Sequence, residues 1–187
     1  ITLNGFECFG GAPVPPEDMS MASQIIVKDS SLESSGPTYC GINGAGKPVC
    51  WGYDGFNHSQ VPAGIPAINK IAMDGRVACG ITDSQLYCWG SPHSSLTFPM
   101  SFSNITDIAM THQAVCVITD QQAQCIDLEQ VGNIDVVRAV NPPKALGNIS
   151  AIAGGRYHFC AITVDENVKC WGNLAGHQDQ FPSAFVS

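Results

Sequence analysis

The chain has 187 residues, 44% of them hydrophobic, with 16 acidic residues against 8 basic ones. That composition supports a core-bearing globular domain, and with lysines and arginines scattered singly there is no cationic stripe to neutralise a phosphate backbone, which excludes nucleic acid as a partner. No apolar run reaches the roughly 18 residues of a membrane span, and the sequence opens at Ile1 without Met or a leader pattern, so the expectation is a processed or excised chain with no membrane segment.

Residues 1–24 close on a pattern met again downstream. Cys8-Phe9-Gly10 stands where Cys50-Trp51-Gly52, Cys88-Trp89-Gly90 and Cys170-Trp171-Gly172 stand later. A mate for Cys8 at the usual spacing falls before Ile1, so the segment reads as a repeat entered inside a hairpin.

The next four segments, 25–66, 67–104, 105–148 and 149–187, are read as repeats of one unit. Three of them contain "INKIAMDGRVACGITDSQLYCWG", "ITDIAMTHQAVCVITDQQAQCID" and "ISAIAGGRYHFCAITVDENVKCWG"; a weaker copy is "SSLESSGPTYCGINGAGKPVCWG". Successive first cysteines lie 39, 37 and 44 residues apart, a pitch proper to propellers and other repeat arrays. Each unit predicts an apolar I-x-x-I-A strand, a variable turn, a strand with the first cysteine, a polar turn, and a strand with the second. In the third unit "CIDLEQ" replaces "CWG", and an insertion running to Asn148 predicts the first protease-sensitive stretch.

The cysteines pair within the units. Cys40 and Cys50, Cys79 and Cys88, Cys116 and Cys125, and Cys160 and Cys170 are each nine or ten residues apart. Zinc knuckles and thioredoxin-like sites need two cysteines within two to four residues, a spacing absent here. Facing positions of an antiparallel hairpin bring Cα atoms about 4.5 to 5.5 Å apart, within disulfide range. The expectation is therefore one hairpin disulfide per repeat, with Cys8 unpaired or intermolecular. Three sequons, at Asn57, Asn104 and Asn148, point to N-linked glycans and, with the disulfides, to a secreted protein.

These residues resemble a known family. "IAGGRYHFCAITVDENVKCWG", with Gly155, His158, Cys160, Ala161, Val168, Trp171 and Gly172 in place, resembles the regulator of chromosome condensation repeat, and the cysteine-paired form resembles the crinkly-type repeats of plant receptor-kinase ectodomains. The resemblance is strong over 149–174 and 68–90, moderate over 25–66 and poor over 105–147. It implies an all-β fold of propeller-type repeats, about four full blades and an incomplete terminal one, each braced by a hairpin disulfide. It carries over the fold only, because the matching positions are structural glycines, tryptophans and core aliphatics.

Catalysis is not expected. His58, His93, His112, His158 and His177 lack ligand spacing, no nucleophile elbow or phosphate loop occurs, and Asp74, Asp83, Asp120 and Asp165 fall in turns where aspartate caps backbone amides. Neither metal nor cofactor is expected. Trp51, Trp89 and Trp171 share one repeat position and read as core. Tyr53, Phe56 and His58 in "GYDGFNHSQ" form the best candidate ligand loop, although it carries the Asn57 sequon.

The expectation for function is a secreted, glycosylated, non-catalytic structural or protein-interaction module whose partners are other protein chains or copies of itself. A ligand-binding receptor ectodomain fragment and a carbohydrate-binding propeller are the alternatives. Three arrangements accommodate the incomplete terminal blade: part of a larger propeller, a small ring closed by its own termini, or head-to-tail completion by a neighbouring molecule.

Overall fold

Short runs rich in β-branched and aromatic residues, cut by Gly, Asp, Asn and Ser, leave no segment long enough for a helix of several turns. The computed structural model describes residues 2–3, 6–7, 13–19, 21–29, 36–74, 76–91, 98–128 and 141–173. Among them are fifteen strands and one 3-10 turn, Glu17–Met19. Cys8, His93, His177 and most of the insertion before Asn148 lie outside the described residues.

Strands β1 (Thr2–Leu3) and β2 (Phe6–Glu7) form a small antiparallel hairpin. The remaining strands make four antiparallel sheets of propeller-blade type. The first holds β3 (Gln24–Asp29), β4 (Pro37–Ile42) and β5 (Pro48–Gly52); the second holds β6 (Lys70–Met73), β7 (Val77–Ile81), β8 (Gln85–Gly90) and β9 (Met100–Ser101). The third holds β10 (Ile105–Met110), β11 (Ala114–Thr119) and β12 (Gln122–Asp127), and the fourth β13 (Ile149–Gly154), β14 (His158–Thr163) and β15 (Val168–Gly172). Contacts divide the chain into two compact units. The first unit contains the first sheet and most of the second; the other contains the third and fourth.

The register is the same in every sheet. Each first cysteine faces its second, Cys40 opposite Cys50, Cys79 opposite Cys88, Cys116 opposite Cys125 and Cys160 opposite Cys170. Disulfides join all four couples, with Cα atoms 4.0 to 4.1 Å apart. Closing so short a loop stabilises by about 2–3 kcal/mol per bridge on the chain-entropy account, which supplements strands too short to pair strongly alone. The third sheet keeps this register although Ile126 stands where its siblings carry Trp.

The I-x-x-I spacing breaks strict alternation, since residues three apart on a strand point to opposite faces. In β10 the register shifts between Ile105 and Asp107, and in β13 between Ile149 and Ala151. This one-residue bulge re-aims the strand, so Ile105 with Ile108, and Ile149 with Ile152, are all buried. The bulged residues, Thr106 and Ser150, are exposed.

In two of the hairpin turns Asn and Thr side chains accept from the backbone. Asn43 Oδ1 accepts from the backbone N–H groups of Ala45 and Lys47 at 3.0 and 2.9 Å, and Thr163 Oγ1 accepts from that of Asn167 at 3.1 Å. Asp74, in the turn between β6 and β7, is buried. Asp120 accepts a hydrogen bond from the Ser103 hydroxyl and, with Gln121, has positive φ (51° and 63°), the two-residue turn geometry that suits strand twist.

Within each unit the core lies between successive sheets. In the first unit Cys40, Ile42 and Cys50 pack with Ile71, Met73 and Trp89. In the second, Cys116 and Ile118 pack with Ile152, Phe159, Ala161 and Trp171. The registers put the first group of each set on one face of its sheet and the second group on the opposite face of the next. We call these the trailing and leading faces. Burying one such Ile, Phe or Met stabilises by about 1.5–3 kcal/mol.

Candidate functional site

The loop between the first two sheets begins at Gly52, whose φ of 95° and tight approach to the Pro37 carbonyl leave no room for a Cβ. Tyr53 N–H donates to Pro37 O at 3.1 Å and Thr38 Oγ1 donates to Tyr53 O at 2.7 Å, fixing the exit from β5. Asp54 then closes the loop on itself. Its carboxylate accepts from the Ser59 backbone at 2.8 Å and the Ser59 hydroxyl at 2.5 Å, while its carbonyl accepts from Asn57 N–H at 3.0 Å. Partial burial pushes the Asp54 carboxyl up, but the Ser59 donors and the nearby His58 bring it net below its ordinary value.

The three candidate loop residues are brought together, but not toward solvent. Phe56 meets Tyr53 and His58 edge-on, with centroids 6.3 and 6.2 Å away, and the Arg76 guanidinium lies 5.6 Å from its centroid. His58 is 0% exposed, so it is no surface contact for a ligand. Its carbonyl accepts from Trp89 Nε1 at 3.1 Å, and neither ring nitrogen has a hydrogen-bond partner. Burial pushes its pKa below the usual 6.5, with Asp54 and Asp74 pulling the other way. The loop is thus a plug over the tryptophan rather than an open aromatic platform. Trp51, Trp89 and Trp171 are themselves buried, Trp51 and Trp171 stacked on Tyr39 and Phe159 with centroids 5.5 and 5.6 Å apart.

A pocket of about 200 Å³ lies nearby, lined by Pro62, Gly64, Ile65, Tyr87, Cys88, Phe98 and Pro99. It is smaller than the ~300–1,000 Å³ typical of ligand sites, and its lining is mainly apolar. Among the described residues no group of three or more His, Cys, Asp or Glu is placed to hold a metal ion. His158, expected to be structural, is half-buried against Gly155.

All three sequon asparagines are exposed. Asn57 and Asn104 have positive φ (59° and 48°), and Asn148 follows Gly147, also at positive φ. Asn104 and Asn148 each directly precede the buried Ile that starts a bulged strand, which explains why their sequons recur in phase.

The largest departure from a uniform repeat lies on two blade faces. Ile25 and Val27 occupy the positions in β3 that Ile71 and Met73 occupy in β6, as the registers against Gly41 and Tyr39, and against Gly80 and Ala78, show. Ile71 and Met73 are 2% and 8% exposed, but Ile25 and Val27 are 39% and 59% exposed. Met19 lies against Gly41 at one end of that face. On a trailing face, Ile162 of β14 corresponds to Ile42 and Ile118, each 1% exposed, yet is itself 44% exposed. Sequence reasoning missed these residues because the repeat consensus marks them as core.

Residues 149–173 match the regulator of chromosome condensation (RCC1) repeat. No curated protein matches the chain. Among solved structures, the CRINKLY WD40 ectodomain of the Arabidopsis thaliana receptor kinase ACR4 is 20% identical over 73% of this chain and 50% of its own, with a TM-score of 0.59. The ectodomain of the Physcomitrella patens receptor kinase CR4 is 20% identical over 78% of this chain and 42% of its own, with a TM-score of 0.62. Prp20p of Saccharomyces cerevisiae, described with its binding to Gsp1p and histones, is 14% identical over 81% of this chain and 45% of its own, with a TM-score of 0.61. The chain spans half or less of the length of these proteins, and the likeness is one of fold. From its strands, registers and matching repeat, the chain is built of RCC1-like β-propeller repeats.

Proposed function

We propose that the chain is a secreted, N-glycosylated, non-catalytic protein-interaction module. The carrying observation is the set of four disulfides, one per repeat at the same register, a framework that persists in an oxidising compartment. Exposed Asn57, Asn104 and Asn148 support glycosylation, and the apolar side chains on the two blade faces support binding to protein. The self-closed loop at 53–60 offers a sugar little to stack on, which disfavours the lectin reading.

The test is the chain secreted from a eukaryotic host. Alkylation without reductant should label at most the thiol of Cys8, and enzymatic removal of N-glycans should lower the mass. Labelling of several cysteines, or an unchanged mass, would sink the extracellular reading. The fold likeness to two receptor ectodomains favours a second reading, a ligand-binding ectodomain portion of a longer receptor. A full-length transcript encoding a membrane span and kinase would decide for it.

A further inference from the structure

We infer that Asn43 is a site of spontaneous covalent modification, where the amide of Gly44 converts the Asn43 side chain to a carboxylate through a cyclic imide, on the folded chain and without an enzyme.

The pair Asn43-Gly44 stands at the tip of the β4–β5 hairpin. The backbone nitrogen that follows an asparagine closes a five-membered ring when it attacks the side-chain carbonyl carbon, and glycine there has no Cβ to crowd the approach. Gly44 is exposed and its N–H has no hydrogen-bond partner among the described residues, so its proton can pass to water. The oxygen that takes up the charge is already held. Asn43 Oδ1 accepts from the backbone N–H groups of Ala45 at 3.0 Å and Lys47 at 2.9 Å. Attack at Cγ places negative charge on this same oxygen, and fixed N–H donors aimed at a developing oxyanion lower the barrier to forming it. The bond from Gly44 N to Cγ forms and the Cγ–Nδ2 bond breaks. Nδ2 leaves as ammonia, taking up a proton equivalent to the one Gly44 lost. Water then opens the imide at either carbonyl.

The two products differ in what they do to the first unit. Asn43 N–H donates to Lys47 O at 3.0 Å and Gly46 N–H to Asn43 O at 2.9 Å. Ile68 N–H donates to Gly46 O at 2.8 Å, and Lys47 Nζ to Ile65 O at 2.8 Å, so this tip holds the chain that leads into β6. A normal aspartate keeps these bonds, with both Oδ1 donors now on a charged oxygen. An isoaspartate runs the main chain through the former side-chain carbonyl, adds a methylene inside the turn and frees the Ile68 amide.

The experiment is incubation of the oxidised 187-residue chain in mildly alkaline buffer, followed by peptide mapping for amide-to-acid conversion at residues 43–44. A linear peptide of residues 41–48 in the same buffer lacks the fixed donors and sets the reference rate. Conversion in the folded chain should equal or exceed that of the peptide; a slower folded rate overturns the inference. Gly44→Ala, which fits because Gly44 is not at positive φ, should slow conversion severalfold with unchanged circular dichroism, and an undiminished rate overturns it too. Native-state hydrogen exchange should show the Ile68 amide unprotected in the isoaspartate fraction and protected in Asn43→Asp made directly. Equal protection in the two would overturn the role given to the turn. None of these results touches the disulfide and glycan tests, so the readings fail separately.

Discussion

The interface between the first and second repeats and that between the third and fourth use the same register positions and fill them by opposite means. In the first, Met73 lays its side chain against the preceding blade, its sulfur 3.4 Å from that of Cys40. In the second the equivalent residue is Gly154, and a Cβ built there would overlap the Met110 carbonyl. One junction is filled by a deformable side chain, the other by direct approach of two backbones. The comparison teaches that the repeat conserves where faces meet, not what occupies the gap, because packing density can be met by volume or by proximity.

The largest effect should come from breaking the backbone approach. Gly154→Val forces β13 away from β10 and should cost about 3 kcal/mol, since the obstacle is main chain rather than a movable side chain. Urea unfolding followed by tryptophan fluorescence checks it, and a cost under about 1 kcal/mol would mean the two strands separate freely. The reciprocal change at the first interface, Met73→Ala, leaves a cavity beside Cys40 and should cost about 2–3 kcal/mol.

Side-chain hooks between successive sheets, from Gln24 to Ile71 and from Asp107 to Ile152, sharpen the comparison further. Gln24→Ala removes two hydrogen bonds to Ile71 and should cost about 1–2 kcal/mol, whereas Asp107→Ala removes the bond from Ile152 N–H and should cost about 1 kcal/mol. Hydrogen exchange at the Ile71 and Ile152 amides reads each loss locally. Equal protection in variant and wild type would show that the side chains are incidental to the interface.

Much of this architecture was legible in the sequence because the repeat encodes it several times. Cysteine spacing gave the hairpins and their facing residues, and the turn residues between the couples gave the strand ends. The I-x-x-I motif was legible as a strand but not as a bulge, since spacing alone does not say where a ladder skips a residue. The hooks at Gln24 and Asp107 escaped notice because their position holds Gln, Lys, Asp and Ala in the four repeats, and no single chemistry marks it. His58 was misjudged as a surface residue because a loop rich in Asn, Ser and Gln reads as solvated. It packs against Phe56 of its own loop and against Trp89, which a strand distant in sequence brings there.

His58 gives the smallest effect, and it is confined to the first unit. Its ring is buried without a hydrogen-bond partner, and burial holds its pKa below 6.5, so the folded chain keeps it neutral where the unfolded chain takes up a proton. Between those two pKa values the unfolded state binds more protons, which makes stability rise with pH in that window. The contribution is fully present above about pH 6.5 and is lost as pH falls through that value toward the folded pKa. Asp54 and Asp74 oppose the trend by favouring the imidazolium, which keeps the slope shallow. His58→Phe, which cannot be protonated, should flatten the profile below pH 6.5. Native-state hydrogen exchange should show the change at Ile71 and not at Ile152. An equal change at both amides would mean that the acid sensitivity belongs to some other group.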